Sequence, residues 1–184
     1  MEYRLEQTRA TVASLRALLQ ESLSHSPVVF RSVASTPALA IRERVGFADC
    51  DAWLGAAYAE LEAMADAAHL DITGPPGALY PQEFFEAEIG DVVAFVPIVG
   101  TADSPSGRAN LFDVPAADLA VMVHYGPFSD IDRTYGALGT IVAERAIGID
   151  GPIREHYLVT DADTQDVSQQ RTEVCWPISQ QPQA

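Results

Sequence analysis

Carboxylates set among aromatic residues are the groups in this chain best suited to chemistry. In IREHYLV (153–159), Glu155 alternates with Ile153, Tyr157 and Val159 as one face of a β-strand would, leaving Arg154, His156 and Leu158 on the other. In TEVCWPI (172–178), Glu173 and Cys175 alternate against Val174, Trp176 and Ile178. A hairpin of these two strands, joined by the long polar loop TDADTQDVSQQR, would let both carboxylates and Tyr157 approach one another. A carboxylate walled by rings attracts lipophilic cations, by Coulomb attraction in a reduced dielectric and by cation–π contacts of about 0.5–2 kcal/mol each. The same surroundings raise a carboxylate's pKa and suit it to general acid or base work. Solvated strand glutamates are the ordinary alternative, and pattern alone favours it for Glu155 and Glu173.

Further aromatics able to line a cleft are Trp53, Tyr58, Tyr80, Phe84, Phe85, Tyr125, Phe128, Tyr135 and Trp176. Each is more commonly core than wall, and Tyr58 and Tyr135 fall on helical apolar stripes, where they read as packing. Other signatures are missing: no GxGxxG, Walker loop, GxSxG elbow or HExxH occurs. His25, His69, His124 and His156 share no helical face, so neither a metal nor a cofactor is expected. Cys50 and Cys175 form no CxxC pair and read as small buried hydrophobes.

The elements that must position these groups repeat. FADCDAWLGA (47–56) and FSDIDRTYGA (128–137) agree at Phe, both Asp, Gly and Ala. Before each comes an apolar strand closed by glycine, ALAIRERVG ending at Gly46 and DLAVMVHYG ending at Gly126. After each come a helix, then ITGP (72–75) or IDGP (149–152), then a strand closed by Pro-Ile, VVAFVPI (92–98) or TEVCWPI. Five landmarks in one order, about 80 residues apart, imply an internal duplication. The halves are placed at about 28–98 and 108–178, joined through the loop GTADSPSGRAN and followed by a tail, 179–184.

Each half reads strand, strand, helix, strand, strand: strands at 28–33, 38–45, 78–86 and 92–98 around a helix at about 50–69, then 108–114, 118–125, 153–160 and 172–178 around a helix at about 129–146. Asp49 or Asp51 can cap the first helix, and Ser129 with Asp132 resembles a capping box on the second. Leu39, Ile41 and Val45 form the helix-facing side of the first half; Leu119, Val121, Val123 and Tyr125 are the expected counterpart, with Ala120, Met122 and His124 turned away. The fold class is α+β: duplicated units forming a pseudo-two-fold domain with a central cleft, where a ligand would lodge.

A helix over residues 1–24 precedes this domain. Leu5, Val12 and Leu19 recur every seven residues, but the companion positions Thr8, Leu15 and Ser22 are mostly polar. Two readings stay open, a homodimer through this helix and a helix folded onto its own domain, and the polar seam favours the second.

The net charge of −15 repels phosphate backbones, so direct nucleic-acid binding is not expected and cationic partners are favoured. No apolar run approaches the ~20 residues of a membrane span, and the charged start MEYRLEQTR carries no apolar signal core. A cytoplasmic location is expected.

HYGPF followed by a helix, GPIREHYLV, an acidic-polar loop and the terminal TEVCWPI resembles the GyrI-like effector-binding domain, the ligand-binding part of multidrug-responsive MerR- and AraC-type regulators, which also occurs free-standing. The likeness spans 28–178, and the duplicated layout agrees with it. It implies a cleft between the halves that takes bulky, apolar, often cationic compounds, with a glutamate of a late strand meeting the charge. Glu155 matches that glutamate by its place after GPI, which reverses the preference drawn from pattern alone. Tyr157 and Tyr125 are then expected nearest, Glu173 as a second acid, and Trp53, Tyr80, Phe128 and Trp176 as further walls. Unlike the regulators, the chain shows no DNA-reading segment. Multidrug sensing or sequestration is the leading function; a hydrolase of cyclopropanoid genotoxins with Glu155 catalytic is the alternative, and a gyrase-interacting protein ranks last.

Overall fold

Nine strands, all paired antiparallel, form the framework of the computed structural model, which describes residues 27–100 and 107–179. The expected N-terminal helix (1–24), most of the inter-half loop and nearly all of the 179–184 tail lie outside the described residues. In chain order the elements are β1 (Val29–Val33), β2 (Thr36–Gly46), α1 (Cys50–Ala67), β3 (Asp71–Ile72), β4 (Gly77–Tyr80), α2 (Gln82–Ala87), β5 (Ile89–Val99), β6 (Asn110–Val114), β7 (Ala117–Tyr125), α3 (Ile131–Glu144), β8 (Ile153–Val159) and β9 (Arg171–Ile178). The sheet runs β1-β7-β9-β8-β4-β5-β2-β6, with β3 added beside β5. β4 and β8, the strands that follow the Gly-Pro turns after α1 and α3, meet at its centre.

Both long helices lie on one side of the sheet. Leu54, Ala57 and Leu61 of α1 pack on Leu39, Ile41, Val92 and Ala94, while Leu138 and Val142 of α3 pack on Ala120, Met122, Val174 and Ile178. Each helix is entered through a 3-10 turn, Phe47–Asp49 and Phe128–Asp130, and neither has the side-chain cap that Asp49, Asp51 or Ser129 suggested.

Two expectations are corrected. The strand at 78–86 ends at Tyr80, because Pro81 turns the chain and Phe84 N–H bonds back to the Pro81 carbonyl at 2.9 Å, opening the short α2. The faces of β7 are also reversed: Ala120, Met122 and His124 look toward α3, whereas Leu119 and Val121 join Cys175 on the far side. The reason is one residue, Pro127, which separates Gly126 from the Phe128 turn, where Gly46 runs directly into the Phe47 turn. Counted back from the helix, Leu39 corresponds to Ala120, and a one-residue slip sends every side chain to the opposite face. His124 closes this junction, its ring nitrogens 2.9 Å from Thr134 Oγ1 of α3 and 3.0 Å from the Pro127 carbonyl.

At the centre, Gly77 of β4 faces His156 of β8. A Cβ on Gly77 would fall 2.5 Å from Phe95 Cζ and 2.6 Å from the Glu155 carbonyl oxygen, so the two strands approach this closely only because the side chain is absent. Gly77→Ala should lower stability by about 1–3 kcal/mol, as overpacking does, read from the urea midpoint at unchanged m-value; an unchanged midpoint would mean the junction relaxes freely.

Candidate functional site

Glu155 lies on β8 between its cross-strand partners Ala78 of β4 and Val174 of β9. It points to the helix side of the sheet and is 2% exposed. Above it is a cavity of about 520 Å³, lined by Cys50 and Asp51 at the start of α1, Ile131, Asp132 and Tyr135 at the start of α3, the Phe128–Ser129 turn, and Phe47, Tyr80, Phe84 and Phe85.

The carboxylate is held by hydroxyls. Tyr135 O–H donates to Oε1 at 2.6 Å and Tyr157 O–H donates to Oε2 at 2.7 Å. Tyr157 has then committed its one proton, so the 2.8 Å contact between the Tyr80 and Tyr157 oxygens is a donation from Tyr80. Tyr58 anchors the next ring, its hydroxyl donating to the Gly77 carbonyl at 2.9 Å and its ring centroid 5.9 Å from that of Tyr157. Rings continue outward through Phe128, 6.2 Å from Tyr157, and the Tyr80, Phe84 and Phe85 cluster.

No arginine or histidine pairs with Glu155 among the described residues; the ion pairs there run between other groups. Burial pushes the Glu155 carboxyl above its ordinary value, against the hydrogen bonds from Tyr135 and Tyr157 that favour the charged form, and Asp51 adds to the rise. Burial and the Glu155 charge hold the hydroxyls of Tyr58, Tyr80 and Tyr135 well above the usual phenol range, so they act as donors. Burial likewise raises the Cys50 thiol to about 11 and the Cys175 thiol to about 12; both are free and buried.

Of the residues the sequence singled out, the structure brings Glu155, Tyr157, Tyr80 and Phe128 together. It separates others. β8 and β9 do form the hairpin, but Glu155 pairs with Val174 and Glu173 with His156, so Glu173 occupies the far face, ion-paired with Arg31. Tyr125 is on that far face too, 58% exposed under the Arg171 guanidinium. Trp53 stands outside the cavity, its Nε1 donating to Glu43 at 2.8 Å. Trp176 lines a neighbouring cavity instead. Sequence reasoning passed over Tyr135 as packing, and did not pick Cys50, Asp51 and Ile131; their signal was the shared Phe-x-Asp turn that opens both helices.

The family model of the GyrI-like small molecule binding domain matches residues 26–179. The chain belongs to this family. Among solved structures, the EcmrR C-terminal domain aligns with 85% of this chain and 99% of its own at 18% identity and a TM-score of 0.76. SAV2435 bound to tetraphenylphosphonium aligns over 83% and 94% at 12% identity and 0.59. A hydrolase encoded by lin2189 from Listeria innocua aligns over 87% and 96% at 12% identity and 0.60. At these identities the likeness is one of fold. Among curated proteins none matches the sequence. No helix among the described residues is long and apolar enough to cross a membrane.

Because the folded carboxyl lies above its unfolded value, ordinarily 4.5, Glu155 contributes stability that is complete below that value and lost as pH rises through the folded one. Urea midpoints measured in steps across this window should fall for the wild type relative to Glu155→Gln, and Tyr135→Phe, which removes a donor to the charged form, should widen the window upward. Parallel curves for wild type and Glu155→Gln would overturn this linkage.

Proposed function

We propose that this domain binds bulky, lipophilic, positively charged small molecules in the cleft over Glu155. One observation carries the reading: a carboxylate 2% exposed, with no cation of the described chain beside it, faces an aromatic cavity of about 520 Å³. That volume lies within the range that encloses drug-sized ligands. An entering cation compensates a charge whose desolvation the protein leaves unpaired, while Phe84, Phe85, Phe128 and Tyr80 supply π faces and apolar contact. Apolar burial is non-directional, so ligands of different shapes can share the site, as sensing or sequestration of many compounds requires. The complex of SAV2435 with tetraphenylphosphonium, a lipophilic cation, supports the class. The strand order supports an internal duplication, since it reads alike from both ends when β1, β2, β4 and β5 are matched to β6, β7, β8 and β9; the cleft then sits on the seam.

A second reading, hydrolysis of strained cyclopropane-bearing electrophiles, is favoured by the raised Glu155 carboxyl, which suits a base directing water, and by the Tyr80–Tyr157 relay behind it.

Titration with a fluorescent lipophilic cation, followed by anisotropy, tests the first reading. Glu155→Gln should weaken it about tenfold, about 1.4 kcal/mol, and spare a neutral ligand of like shape. Equal losses for both ligands would remove the charge role. Absence of binding, together with cyclopropanoid turnover that disappears in Glu155→Gln, would establish the hydrolase instead.

A further inference from the structure

Gly55 and Gly136 are each the sixth residue of their helix, α1 and α3. A glycine inside a helix costs about 1 kcal/mol relative to alanine, so it needs a reason. Neither has positive φ, and a Cβ at either position would meet no atom within 4 Å. Gly139, one turn later in α3, is different: its Cβ would touch the Trp176 ring at 3.3 Å. Packing therefore explains Gly139 and leaves Gly55 and Gly136 unexplained.

What both glycines border is open space. Gly55 lines a cavity of about 370 Å³ and Gly136 one of about 640 Å³. Each adjoins the cavity over Glu155, the first through Asp51 and Phe128, the second through Phe85 and Tyr135. The larger one presents Trp176 as a third ring, with Glu86 and Asp150 in its lining and no basic residue there. Phe85 and Tyr135, which line both spaces, are in ring contact at 5.4 Å between centroids. Phe85 stands on the six-residue α2 and is 40% exposed, at the border of the two spaces.

We infer that the Gly136 cavity is a second subsite of the same ligand site, and that the ligand is elongated, with one cationic head over Glu155 and a second cationic aromatic head against Trp176. Gly136 keeps this lobe open by withholding a side chain; Phe85 and Tyr135 grip the linker between the heads; Glu86 and Asp150 meet the second charge. The inference rests on the cation reading of Glu155 and adds the length and second charge of the ligand to it.

The test compares two probes, a linear bis-quinolinium and the single-headed quinolinium bearing the same alkyl chain. Trp53→Phe leaves Trp176 as the sole indole of the chain, so quenching of its emission reports occupancy of the lobe. The two-headed probe should bind about tenfold tighter than the single-headed one, by the effective concentration of its tethered second head, and it alone should quench Trp176 strongly. Gly136→Leu and Gly136→Phe, which grow into unobstructed space, should bring the affinity ratio toward one and abolish the quenching; Gly136→Ala should reduce both less. A ratio near one in the protein with Gly136 intact, or a ratio unmoved by both plugging variants, overturns the second subsite alone. Failure of both probes to bind overturns the cation reading, and the second subsite falls with it.

Discussion

Tyr135 and Tyr157 each give a hydroxyl proton to one oxygen of Glu155, and the rest of the molecule is arranged so that they can. A carboxylate taken out of water without a countercharge costs several kcal/mol, and neutral donors recover only part of it. Tyr157 shares the strand with its acceptor, whereas Tyr135 must be brought from α3, which the His124 contact to Thr134 fastens to β7. Glu155 in turn stands at the junction of β8 with β4, where Gly77 allows close approach. The site is thus a property of the whole sheet and both helices, and no short segment could reproduce it.

Much of the framework was legible because period and punctuation agree. Both long helices carry apolar stripes at helical spacing, and five of the nine strands, β2, β4, β5, β6 and β7, end at or directly before Gly or Pro. Legibility failed where those signals vanish. In β7, residues 119–123 are all apolar and all but Val123 are buried, because helix α3 covers one face and the far-side cluster the other. Alternation then carries no information about which face is which, and Pro127 settled it in a way that aligning the two glycines concealed. Residues 82–87 are too few to show a helical period, and Phe84–Phe85 read equally well as strand.

The candidate site was legible only in part. Pattern alone called for a wet Glu155, since its burial depends on α1 and α3 closing above it, which no local signal encodes; the family resemblance pointed to it. Glu173 was drawn toward Glu155 by an assumed pairing, but in the actual register it faces His156, one residue away and therefore on the other side. Tyr135 was hidden by a true observation, that it belongs to the apolar stripe of its helix. A residue at the edge of such a stripe packs with its ring and still presents its hydroxyl to the cleft.

The order of the strands bears on how the chain reaches this state. β1, the first strand in the sequence, closes one edge of the sheet beside β7, and β6 closes the other beside β2. Both edge strands thus pair across long stretches of the chain. Val29 and Val121, partners at the first of these edges, are far apart in sequence, and contacts of this separation slow the search for the folded state because the intervening loop must close before they form. They also tie distant segments into one continuous sheet, so loosening either edge strand uncovers a neighbour that lies far from it in the sequence.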